Sequence, residues 1–154
     1  NTRFDCLCNP KGVEILSMSM DVSTFRKVKA ALSVIPATTQ MGLTLTMALG
    51  GRPSVGRNIP DEAIHILFYF VLVLLIYMAL RNVFLSLKTI TVIKLSGFSS
   101  SLFSFIDEGL QHLTPSRSAE VYDLLADNLG VFLGMVILFS VQNLFKEKSN
   151  DQYQ

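Results

Sequence analysis

The side chains best suited to chemistry gather in residues 107–134, which read DEGLQHLTPSRSAEVYDLLADNLGVFLG. Asp107 and Gln111 are four residues apart, as are Glu108 and His112, and Asp123 and Asp127. On a helix each pair shares a face. Two acids on one face repel, so Asp123 and Asp127 need a cation, a proton or an arginine between them. Arg117 lies in the short link between these stretches. Its planar guanidinium can take two carboxylates, or a phosphate. An acid near the middle of a membrane helix costs roughly 2.5–3.5 kcal/mol on insertion scales. Asp127 and Asn128 sit a turn or more inside an apolar run, so they mark a candidate functional site.

A second stretch adds Asp61 and His65, also four apart. A histidine beside a carboxylate can act as a general base that the carboxylate orients. The plainer reading treats Asp61, Glu62, Glu120 and Asp123 as first-turn caps and partners of the helix dipole. Asp107 and Gln111 would then only hold a bundle together. No nucleophilic triad can be assembled, because Ser116 and Ser118 lack a Gly-x-Ser-x-Gly elbow. No HExxH or His-rich pattern supports a metal, and no cofactor is expected. Gly50-Gly51-Arg52-Pro53 reads as a turn rather than a phosphate cradle. Gly130 and Gly134 form a GxxxG, which points to close helix packing within the bundle or in a dimer.

The elements that must position these groups follow from composition. Half of the 154 residues are hydrophobic, 16% are charged and the mean hydropathy is +0.45. These values describe an integral membrane protein of one domain. A net charge of +1 gives no basic field for nucleic acid. The expected fold is an all-α, multi-pass transmembrane helical bundle with spans at about 28–49, 63–80, 89–106 and 121–141. The span at 63–80 is 18 residues long with His65 as its only ionisable group, and about 27 Å of helix matches the hydrocarbon thickness. The spans at 28–49 and 89–106 are more polar: the first holds Pro36, Gln40 and several Thr, the second Lys94 and four Ser. Both are acceptable where those groups face other helices. A signal-peptide reading of 28–49, with Arg26, Lys27 and Lys29 as its basic region, is disfavoured by the length of the apolar run. Residues 1–25 form an N-terminal tail, 26–145 the membrane domain and 146–154 a polar C-terminal tail. Met18 or Met20 is a plausible start, so residues 1–19 are set aside. Cys6 and Cys8 read as two reduced thiols in the tail.

Counting Lys and Arg orients the bundle. With both termini cytoplasmic, Arg26, Lys27, Lys29, Arg81, Lys88, Lys94, Lys146 and Lys148 lie inside, and Arg52, Arg57 and Arg117 outside. Eight against three is a positive-inside bias. It places seven of the twelve acids (Asp61, Glu62, Asp107, Glu108, Glu120, Asp123, Asp127) on the outer face.

Asp61-x-x-x-His65, then Asp107-Glu108-x-x-Gln111, Pro115-x-Arg117, Asp123, Asn128, Gly130 and Gly134 resemble the VanZ-like family of bacterial membrane proteins in order and spacing. The likeness covers residues 61 to about 134. It departs at Glu62 and Ile66, where the family often has Lys and Phe. The resemblance implies a small multi-pass helical protein of the bacterial cytoplasmic membrane. The member that names the family is associated with low-level resistance to the glycopeptide teicoplanin. Glu62 removes a positive charge from the mouth of the site, which would alter the preferred ligand.

Three functions are consistent with these residues. In the first, Asp61, His65, Asp107, Glu108, Gln111, Arg117, Asp123, Asp127 and Asn128 line an outer-face pocket. Besides membrane lipids, that pocket would handle a lipid-linked envelope precursor or an amphiphilic antibiotic. In the second, an intramembrane hydrolase or transferase uses His65 as general base. In the third, the acids pair with Arg117 in a non-catalytic scaffold.

Overall fold

The computed structural model describes residues 22–50, 60–113 and 121–151. They form four helices: α1 (Val22–Gly50), α2 (Asp61–Val83), α3 (Thr89–His112) and α4 (Val121–Asp151). There is no strand among the described residues. The all-helical expectation is therefore met. Three helices, α2, α3 and α4, are long and apolar enough to cross a membrane. At 29 residues α1 has the length, but Pro36, Gln40 and its threonines dilute its apolar character.

The ends of the helices follow from local chemistry. Pro60 lies just before α2 with extended backbone (φ −58°, ψ 139°), and its carbonyl accepts from Ala63 N at 3.1 Å. Asp61 and Glu62 occupy the first turn and Arg81 the last, each matching the helix dipole. Arg81 Nη1 donates to Leu87 O at 3.0 Å, which ties the end of α2 to the turn leading into α3. Each helix outruns the apolar span that the sequence suggests. α3 continues to His112, so Asp107, Glu108 and Gln111 ride on helix, as their four-residue spacings suggest. α4 continues to Asp151, because 142–151 contains no proline or glycine to stop it.

α2 is central and packs on the other three helices, while α1 and α4 do not touch. His65 meets Asp127, and Gly130 faces Ile66 and Phe70, so α2 and α4 run parallel. Tyr69 meets Asp107 and Ser104 meets Asp127, so α3 runs antiparallel to both. The N-terminal ends of α2 and α4 and the C-terminal end of α3 thus share one end of the bundle.

The apolar core is small: Tyr69, Leu72, Val73, Phe103 and Val131, with Met41, Leu45, Ile76 and Met135 packed against it. Tyr69 and Phe103 stack tilted, with ring centroids 6.3 Å apart. Outward, the helices show large apolar side chains such as Leu67, Phe98, Leu125 and Phe132. A bundle with a thin core and an apolar exterior suits hydrocarbon, where helices associate through packing and polar contacts rather than apolar burial.

Candidate functional site: a buried histidine–carboxylate cluster

Close packing of α2 on α4 creates the site. A Cβ on Gly130 would overlap the Ile66 carbonyl oxygen and lie 3.0 Å from Phe70 N. A Cβ on Gly134 would overlap a Val73 methyl and lie 3.3 Å from the Phe70 carbonyl oxygen. The two glycines therefore let the α4 backbone rest against that of α2. One turn before Gly130 stands Asp127, and beside Ile66 stands His65. The glycine contact carries these two side chains to within hydrogen-bonding reach.

His65 Nδ1 lies 2.8 Å from Asp127 Oδ1. The other Asp127 oxygen accepts a 2.8 Å hydrogen bond from Ser104 Oγ on α3. Asp127 is 1% exposed and joins three helices through two short bonds. On its far side, His65 Nε2 is 3.8 Å from Asp123 Oδ2, a charge contact rather than a hydrogen bond. The imidazole thus sits between the two acids of α4. When protonated, it supplies the cation that the Asp123–Asp127 pair requires.

Asp107 is buried to the same degree, 1% exposed. Tyr69 OH donates to its Oδ2 at 3.3 Å, and Gln111 Nε2 approaches the same oxygen at 3.5 Å. Its other oxygen, Oδ1, is buried and has no hydrogen-bond partner among the described residues. Burial grades the cluster. The His65 side chain is 18% exposed and that of Asp123 7%, against 1% for Asp127. The mouth is at His65 and Asp123, and Asp107 and Asp127 are the most buried of its carboxyls.

The sequence-derived candidates divide accordingly. His65, Asp107, Gln111, Asp123 and Asp127 converge. Glu108 is partly buried next to Asp107 on α3, and Asp61 is partly buried at the start of α2. His65 pairs with Asp127 and Asp123 rather than with Asp61, its neighbour one turn away, because the glycine contact turns that face of α2 toward α4. Asn128 does not join: its Nδ2 donates to Leu124 O at 2.9 Å on its own helix. Arg117, with Pro115, Ser116, Ser118 and Glu120, lies outside the described residues, as do Arg52, Arg57, Cys6 and Cys8. Sequence reasoning missed Tyr69 and Ser104. Tyr69 is four residues after His65, and Ser104 belongs to a stripe with Ser96 and Ser100, all three fully buried. That four-residue period of serines leading into Asp107 was the available signal.

The arrangement can orient an imidazole, hold a cation against carboxylates, and exclude lipid from both. It is not a hydrolytic triad: the carboxylate stands between serine and imidazole, so Ser104 donates to Asp127 and not to His65. Among the described residues no group of three or more His, Cys, Asp or Glu side chains has a geometry that could hold a metal ion.

Neither a curated protein nor a solved structure matches the chain significantly. A family model described as VanZ/LLP1 matches residues 13–145, nearly the whole chain. By this match over nearly its whole length, the chain belongs to the VanZ/LLP1 family.

Proposed function

We propose that this membrane protein binds the cationic group of an envelope component or amphiphilic antibiotic in the cluster at the ends of α2, α3 and α4. One observation carries the reading. Three buried carboxyls, Asp107, Asp123 and Asp127, surround a single basic side chain, His65, among the described residues. An excess of acid over base in a place of low dielectric attracts positive charge strongly. The positive-inside count supports an outward-facing mouth in the bacterial cytoplasmic membrane. A lipid-linked precursor or a glycopeptide would reach such a mouth from the envelope side, in keeping with a teicoplanin-type role.

The test is Asp123→Ala. Asp123 makes no hydrogen bond to the rest of the cluster, so its loss spares the fold while removing charge from the mouth. Cells with normal membrane levels of the variant should lose the envelope or glycopeptide phenotype of the wild type. Unchanged phenotypes at normal abundance sink the reading.

A second reading rests on a different observation. Asp127 holds Nδ1 of His65, which leaves Nε2, on the more exposed side, as a positioned base for an intramembrane hydrolase or transferase. It predicts turnover of an envelope lipid by purified protein that vanishes in His65→Ala. Equal turnover in the variant excludes it.

A further inference from the structure

Within the cation-binding reading, and resting on it, the geometry points to Asp107 as the buried anchor of the ligand and to a primary ammonium as the group anchored. Among the described carboxyls of the cluster, Asp127 already receives a donor on each oxygen. Asp107 receives two donors, Tyr69 and Gln111, on one oxygen and none on the other. A buried carboxyl oxygen without a donor is costly, and a ligand N–H is the natural remedy. Asp107 shares its α3 face with Ser104, three residues away, which reaches Asp127. Its open oxygen therefore belongs to the buried part of the same cluster.

The class of cation follows from what surrounds this oxygen. Quaternary ammonium groups are recognised by cages of aromatic faces. Here the aromatic side chain that touches a carboxyl of the cluster, among the described residues, is Tyr69, which packs its ring on Phe103 and donates its hydroxyl to Asp107. What remains is a buried hydrogen-bond acceptor without a donor, which suits a compact –NH3+ with three donors. Lipids and peptides with a free amino group carry this headgroup, and choline-type headgroups do not.

The experiment compares amphiphiles that differ only in donors. Dodecylamine and its N-methyl, N,N-dimethyl and N,N,N-trimethyl derivatives are titrated calorimetrically into the full chain in non-ionic micelles, with empty micelles subtracted. Wild-type affinity should fall stepwise along the series, by about tenfold or more from the primary amine to the trimethyl compound, the loss expected for one charge-assisted hydrogen bond. Asp107→Asn should abolish that preference. Tyr69 and Gln111 keep the amide oxygen where Oδ2 stands, which puts the amide NH2 where Oδ1 accepts, so a donor meets the ammonium. Equal binding of all four amines by the wild type overturns the assignment and leaves the general cation reading standing. A preference that persists in a folded Asp107→Asn also overturns it. Failure of all four to bind overturns both. The wild-type series decides even if the variant does not fold.

Discussion

His65 and Asp127, 62 residues apart in the chain, are joined by a 2.8 Å contact between Nδ1 and Oδ1 beside the glycine contact of α2 with α4. Asp127 is all but fully buried, so removing its partner strands a charge in low dielectric. His65→Ala and Asp127→Ala should each destabilise the bundle by about 2 kcal/mol or more, and the double variant by less than the sum. Unfolding in mixed micelles, followed by circular dichroism, gives the cycle. A coupling energy indistinguishable from zero would mean that the pair does not act as a unit. Asp61→Ala should show no coupling to His65, despite its position one turn away.

Ser104 and Ser100 provide a matched pair, both fully buried on α3. Ser104 donates across the helix interface to Asp127, whereas Ser100 donates back to Ser96 O at 2.9 Å on its own helix. Ser104→Ala removes a donor from a buried carboxylate and should cost about 1–2 kcal/mol. Ser100→Ala leaves a carbonyl already satisfied by the helix and should cost less than about 0.5 kcal/mol. Equal losses in the same unfolding assay would show that the serine stripe works by packing volume, not through Asp127.

The glycines should rank by what their missing Cβ atoms would strike. At Gly130 the obstacle is backbone, which cannot step aside. At Gly97 it is the Met135 side chain, whose flexible thioether can. At Gly42 there is open space. Helix propensity favours alanine over glycine by about 1 kcal/mol, so the sign depends on the clash. Gly130→Ala should destabilise by about 1–3 kcal/mol, the usual cost of overpacking. Gly97→Ala should be near neutral, and Gly42→Ala should stabilise slightly. Gly134→Ala should be costly but rescued in part by Val73→Ala, which clears the methyl in its way. Thermal midpoints that fail to follow this order would separate the GxxxG from the α2–α4 contact.

Much of this site was legible because helical spacing is a local property. The pairs 107/111 and 123/127 announce shared faces directly, and apolar length announces the helices that hold them. Which faces meet is a non-local matter. Nothing near His65 says that it will pass over Asp61 for Asp127, since that choice depends on how closely two glycines 65 and 69 residues further on let the backbones approach. Tyr69 and Ser104 escaped notice for a related reason. Each is ordinary in a membrane helix until a carboxylate from another helix comes to face it. Asn128 misled in the opposite sense: its polarity inside an apolar run suggested a site, and its own helix backbone absorbs it.

Direction across the bilayer is the remaining link between geometry and function, and it can be measured without any ligand. With Cys6 and Cys8 replaced by serine, single cysteines at Asn58, Arg117 and Asn150 report the two loops and the C-terminal end. The Lys and Arg distribution predicts that a maleimide unable to cross lipid labels positions 58 and 117 in intact cells, and position 150 only after the membrane is opened. The acid cluster lies at the bundle end shared by the starts of α2 and α4, which follow those two loops directly. Labelling at 150 with protection at 58 and 117 would turn the cluster toward the cytoplasm, where an envelope ligand arriving from outside could not reach His65. Labelling at all three would mean that the chain crosses the bilayer an even number of times, or not at all, between 117 and 150, against the single span of α4, and would call the three-helix arrangement itself into question.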